Sequence, residues 1–214
     1  MPESEQKVAE EEKETALIEA ARNGDHRAFG GLVERYQNRL FRFVLERTGN
    51  REDAEDILQL TFVSAYRNLA GYRREYRFST WLFTLAYRRT VDRLRKRRDL
   101  PAEAVPESVC NNHPADSLES AESRERLWGL ARRVLDDRQH ALLWLRYGED
   151  LDLSEIASVT GLSQTHVKVL LYRARNNLAR HLATFNEEQK LSHLRSPGKE
   201  NESAWLRHPM MEKP

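Results

Sequence analysis

The chain has a single cysteine, Cys110, so it cannot form an internal disulfide, as expected of a protein kept in a reducing compartment. Glycine (nine) and proline (seven) are sparse among 214 residues, and long stretches hold neither, which points to helices rather than turn-rich strands. There is no run of about 18 apolar residues, which excludes an apolar membrane-spanning helix. Met1 to Glu14 is acidic and lacks an apolar centre, so it does not have the make-up of a secretory signal. No metal cluster stands out. Cys110 and His113 supply half of a zinc spacing without a second pair, and structural zinc takes four ligands. The expected cofactor list is therefore empty.

Net charge is also lacking: 35 basic residues oppose 34 acidic ones, for +1 at pH 7. That balance hides segregation. Glu3, Glu5, Glu10, Glu11, Glu12 and Glu14 crowd the start of the chain, whereas Arg88, Arg89, Arg93, Arg95, Lys96, Arg97 and Arg98 face Asp92 alone. Such a stripe attracts polyanions locally while a near-neutral chain binds bulk DNA weakly.

What is present is helical periodicity. Residues 1–13 read as an acidic, loosely ordered arm, followed by a short helix from about Thr15 to Arg22 that stops at Asn23-Gly24. Asp25 caps a long helix whose apolar face carries Phe29, Leu32, Val33, Tyr36, Leu40, Phe41, Val44 and Leu45. Asn50 caps a third helix with Ala54, Ile57, Leu58, Phe62, Ala65, Tyr66 and Leu69 on its stripe, ending near Gly71. A loop of aromatic and basic residues, Tyr72 to Phe78, precedes a helix that starts at Ser79 or Thr80. The expected fold is all-α: one helical domain over 14–98, a flexible linker over 99–117, a second helical domain over 118–183, and a tail over 184–214 of unknown role. Extended, the linker's roughly 20 residues reach about 65 Å, and as a coil about 25 Å, enough to bridge sites one to two DNA turns apart.

Leu153 to Leu182 has helix-turn-helix spacing. Ala157 is small where two helices cross, Gly161 can take the left-handed conformation of a tight turn, and Val167 returns an apolar contact. Ser154 is expected to start the first helix and Ser163 to cap the second. Gln164, Thr165, His166, Lys168 and Val169 then lie where a helix end enters a major groove, with Tyr172, Arg173 and Arg175 placed for phosphates.

These motifs resemble those of the extracytoplasmic-function (group IV) sigma factors of bacterial RNA polymerase, over about Leu17 to Ala183. In the first domain the likeness runs through Asn23-Gly24-Asp25, Ala28-Phe29, Asp53-Ala54-Glu55-Asp56, Gln59, Thr61-Phe62, Ala65-Tyr66, Phe78-Ser79-Thr80-Trp81-Leu82 and Asp92 with Leu94-Arg95. In the second it runs through Leu145-Arg146-Tyr147, Glu155-Ile156-Ala157, Gly161-Leu162-Ser163, Val167-Lys168 and Tyr172-Arg173-Ala174-Arg175. Leu60 stands where many members have Glu, and Lys168-Val169-Leu170 where Lys-Ser-Arg is familiar.

The resemblance implies a division of labour between a region 2 domain (14–98) and a region 4 domain (118–183). Asp53, Asp56, Gln59 and Phe62 would dock on the clamp coiled coil of core RNA polymerase, and the second domain would lie near the flap. Tyr72, Arg73, Arg74, Tyr76, Arg77, Phe78, Ser79, Thr80, Trp81, Arg88, Arg89 and Arg95 would engage the −10 element, aromatic faces stacking on unpaired bases and arginines holding backbone. Ser163, Gln164, Thr165, His166, Lys168, Val169, Tyr172, Arg173 and Arg175 would meet the −35 element. The implied protein is a cytoplasmic transcription initiation factor. Its partners would be core polymerase, promoter DNA and an anti-sigma factor, with no membrane insertion and no small-molecule substrate. The other reading of the residues is a stand-alone helix-turn-helix regulator binding duplex operators without polymerase. An enzyme is not expected, because no nucleophile, metal cluster or catalytic pocket accompanies the carboxylates.

Overall fold

A computed structural model of the chain describes residues 3–98 and 118–195, and every regular element among them is a helix. The first module comprises α1 (Glu3–Arg22), α2 (His26–Thr48), α3 (Arg51–Asn68) and α4 (Phe78–Arg98), with a 3₁₀ turn at Leu69–Gly71. The second comprises α5 (Leu118–Val134), α6 (Asp137–Leu143), α7 (Leu153–Thr160) and α8 (Gln164–Arg195). A widened π turn, Trp144–Gly148, follows α6.

Short polar side chains set the helix starts. Asp25 accepts from the amides of Arg27 and Ala28, Asn50 from Asp53, and Asp136 from Gln139, each satisfying donors that the first helical turn leaves open. Gly49, at φ +64°, closes α2 by donating its amide to the Leu45 carbonyl at 2.8 Å. In the first core Leu32, Leu40, Phe43, Val44, Leu82, Phe83 and Ala86 are fully buried, with Phe43 edge-on to Phe83 at 5.3 Å. Burying each large side chain of this kind stabilises the fold by about 1.5–3 kcal/mol.

The acidic start of the chain is not a loose arm: α1 begins at Glu3. Composition misleads here because two of the carboxylates, Glu10 and Glu14, have partners on α2. Glu10 and Glu14 both pair with Arg35, and Glu14 accepts the Tyr36 hydroxyl at 2.6 Å. At the other end, α8 runs to Arg195, past the expected limit at 183, through a stretch free of glycine and proline until Pro197. Two helix starts also shift: α4 begins at Phe78, and α7 begins at Leu153, capped by Asp152, rather than at Ser154. The linker reading, with Cys110 and His113, lies outside the described residues.

The modules do not stand apart. Helix α4 packs along α7 and α2 touches α6, so that buried residues from Ile18 to Ala174 form one continuous core. Polar bonds cross the same seam. Arg39 grips Glu149 through Nε at 2.8 Å, Arg47 donates to the Asp137 carbonyl at 2.9 Å, and the Thr80 hydroxyl donates to Glu155 at 2.9 Å.

Candidate nucleic-acid interface

The helix-turn-helix is built from a cap, a turn and a return contact. Asp152 accepts from the amides of Ser154 and Glu155, while the Glu155 carboxylate accepts the Asp152 amide at 2.9 Å, a reciprocal capping box. The bond from the Glu155 amide, and then those from Ser154, hold the Asp152 carboxyl below the usual carboxylate range. Gly161 sits at φ +72°, where a side chain would strain the backbone, and donates to the Ala157 carbonyl at 2.9 Å. The Ser163 hydroxyl accepts the His166 amide at 3.3 Å, and Val167, Leu171 and Ala174 turn inward. The opposite face of α8 is thereby turned to solvent. Ser163, Gln164, Thr165, His166, Lys168, Val169, Tyr172, Arg173 and Arg175 are all exposed, as a groove-reading helix requires. Arg175 also reaches the Tyr147 hydroxyl, at 3.4 Å.

The aromatic–arginine loop divides differently. Tyr72 is buried and donates its hydroxyl to the Tyr76 carbonyl at 2.8 Å, and Phe78 is wedged against both Tyr36 and Tyr72. Trp81 is half-buried against Tyr72 and Phe78, with ring centroids 5.3 and 5.5 Å apart. These rings brace the loop from beneath, while Arg73, Arg74, Tyr76 and Arg77 point outward. Arg74 pairs with Glu19 of α1. Ser79 and Thr80 are buried, Thr80 under α7. Arg88 and Arg95 are exposed, whereas Arg89 bonds the Ser64 hydroxyl and Arg93 pairs with Asp53.

That last pair bears on the polymerase-docking set, two of whose members face inward. Asp53 is buried at the start of α3 and faces Arg93 and Arg97 of α4, and Phe62 belongs to the core. Both serve internal packing: the carboxylate ties α3 to α4, and the ring fills the space between helices. Asp56 and Gln59 remain on the outer face of α3, beside Leu60 (51% exposed) and Val63 (41% exposed), two apolar side chains that sequence reasoning did not select. Their exposure on an otherwise amphipathic helix was the available signal.

The sequence also gave no hint of the carboxylates in the seam. Glu149 is buried, and burial pushes its carboxyl above the ordinary range; Arg39 and the Trp144 indole N–H oppose that shift. Glu155 accepts from Thr80 while its Oε1 lies 3.6 Å from Arg77 Nε. Residues selected for the −10 element therefore face the helix-turn-helix in this conformation. Among the described residues, no cluster of three or more His, Cys, Asp or Glu is arranged to hold a metal, and no helix is long and apolar enough to cross a membrane.

Among the described residues the fold is all-helical, and α7 and α8 form a helix-turn-helix with the outer face of α8 exposed. Two family models match the chain: Sigma-70 region 2 over residues 32–99 and Sigma-70, region 4, over 132–178. The ECF RNA polymerase sigma factor BldN of Streptomyces coelicolor is 31% identical over 169 residues, covering 77% of this chain and 64% of its own length. The ECF RNA polymerase sigma factor SigW of Bacillus subtilis is 28% identical over 177 residues, covering 77% of this chain and 94% of its own. Among solved structures, CnrH in complex with the cytosolic domain of CnrY has a TM-score of 0.60 at 24% identity, covering 80% of this chain and 98% of that one. The sigma factor RpoE of Bartonella quintana, bound to the anti-sigma factor NepR, also scores 0.60, at 22% identity over 72% of this chain and 96% of that one. The chain belongs to the extracytoplasmic-function group of the sigma-70 family.

Proposed function

We propose that this chain is a sigma factor that binds core RNA polymerase, recognises −35 and −10 promoter elements and promotes promoter opening without itself catalysing a reaction. The match of both family models, in order, one on each helical module, is the observation that carries the reading. Helix α8 presents Gln164, Thr165, His166, Lys168 and Val169 to the −35 major groove, with Tyr172, Arg173 and Arg175 toward phosphates. Arg73, Arg74, Tyr76 and Arg77, with Trp81 behind them, meet the −10 strand, and Arg88 and Arg95 its backbone. Asp56 and Gln59 form the polar part of the clamp-docking face. The protein works in the cytoplasm, with the flap of polymerase as a second contact and an anti-sigma factor as its inhibitor.

Because Thr80 and Arg77 lie against Glu155 in the packed conformation, engagement of the −10 element requires α7 to leave α4. Run-off transcription from genomic promoter fragments tests the proposal. Discrete start sites that need both the chain and core enzyme support it. A chain that binds specific duplexes equally well without core enzyme is instead a stand-alone regulator.

A further inference from the structure

The two positions at which the recognition helix departs from the family pattern face different ways. Leu170 is half-buried and lines a groove of about 520 Å³ with Tyr87, Val91 and Leu94 of α4. Val169, its neighbour, is 41% exposed on the outer face of α8. Helical spacing puts Thr165, Val169 and Tyr172 on one stripe, at intervals of four and three residues. All three are exposed, while Val167, Leu171 and Ala174 anchor the opposite side. The outer stripe is thus unusual for a DNA-facing helix: its middle is an isopropyl group with no hydrogen-bonding capacity, flanked by Lys168.

In the major groove one base-edge feature suits such a group, the C5-methyl of thymine; every other edge offers a donor or an acceptor that Val would leave unpaired. We infer that Val169 is a specificity-determining residue that selects an A·T pair in the −35 element by packing against the thymine methyl. This rests on the assignment of α8 to the −35 element and names the chemistry it reads there. Thr165, one turn earlier, adds its own methyl to the same contact, and Lys168 beside it holds phosphate without base preference.

Replacing thymine by deoxyuridine deletes the methyl and leaves every hydrogen-bonding group in place. The test uses holoenzyme reconstituted from core polymerase and the full chain, on a promoter that it transcribes. Each thymine of the −35 element, on either strand, is changed to deoxyuridine in turn, and promoter occupancy is titrated. One substitution is expected to weaken occupancy about fourfold, the worth of one buried methyl. Val169→Ala should weaken occupancy of the thymine promoter and shrink the preference for thymine over deoxyuridine at that position, Thr165 and the alanine methyl keeping a remainder, whereas Val169→Ile should keep the full preference. Because the side chain is exposed, these variants fold normally. Equal occupancy of thymine and deoxyuridine duplexes at every position overturns the inference, as does discrimination that is undiminished in Val169→Ala. A wild-type chain that supports no promoter-dependent transcription overturns the underlying assignment as well, and is seen before any base is changed.

Discussion

The hydroxyl of Thr80 on α4 donates a 2.9 Å hydrogen bond to the carboxylate of Glu155 on α7. Both side chains are buried, and the same carboxylate accepts the Asp152 amide that completes the capping box. One acid therefore fixes the start of the helix-turn-helix and clasps the helix assigned to the −10 element. Local cap chemistry and inter-module packing converge on it.

Replacing Thr80 with valine keeps the shape and removes the donor. The buried Glu155 oxygen then loses a partner, and a charge-assisted bond of this type contributes about 1.5–3 kcal/mol. Thr80→Val should lower the free energy of unfolding by about 1–2 kcal/mol in urea titrations, since Arg77 nearby still compensates part of the charge. Thr80→Ser should retain most of it. Identical urea midpoints for the wild type and the valine variant would show that the bond contributes nothing.

The same relationship predicts that promoter opening depends on separation of the modules. Thr84 of α4 and Ser158 of α7 line one cleft in the seam, so cysteines placed there in a chain with Cys110 replaced can be joined by a short cleavable cross-linker. The cross-linked protein should fail to open promoters, with activity restored on cleavage of the linker. Full transcription by the bridged form would mean that α7 need not move.

Asp53 and Gln59 lie on one helix but should respond differently to substitution. Asp53 is buried against Arg93, so Asp53→Ala should cost about 1–2 kcal/mol of stability, the exposed side of the arginine limiting the loss. Gln59 faces outward, so Gln59→Ala should leave the melting temperature unchanged and weaken capture of core polymerase in pull-down assays. A thermal shift for Gln59→Ala with normal capture would reverse the two roles.

Much of this was legible in the chain. Asp25, Asn50 and Gly161 mark boundaries because cap and left-handed turn chemistry is local, and the structure has them where the sequence places them. The outward face of α8 follows from the period of Val167, Leu171 and Ala174. What composition hid was non-local. The acidic run before Glu14 reads as a solvated arm until Arg35 and Tyr36 are seen across from it. Asp53 reads as a surface charge until Arg93, 40 residues away, closes on it. The resemblance gives Phe62 and Phe78 partner roles, core packing being the other reading of Phe78, and it is packing that turns both rings inward. The burial of Glu149 has no periodic signature; it depends on the π turn and on an arginine 110 residues earlier.

His140 gives the seam a pH dependence. It is buried among Trp128 and Trp144, with Glu46 of α2 at 3.9 Å and Arg47 of α2 and Arg132 of α5 nearby. Burial first, then the two arginines, push its pKa down from 6.5 to about 4, and Glu46 does not overcome them. Above pH 6.5 the imidazole is neutral in folded and unfolded chains alike, and no penalty exists. Below that the unfolded chain takes a proton that the folded chain refuses until about pH 4, so stability falls as pH drops across this window, by about 3 kcal/mol in total. Glu149 acts with the opposite sign: its raised pKa adds stability at low pH that is lost as pH rises through the raised value. The wild-type profile mixes both, and the difference between wild type and His140→Phe isolates the histidine while preserving ring contacts with Trp128. In urea titrations between pH 7 and 4 the wild type should lose about 3 kcal/mol of stability relative to His140→Phe, whatever their order at neutral pH. A constant separation would place the proton on the folded chain as readily as on the unfolded one, with the buried imidazolium stabilised by Glu46 after all.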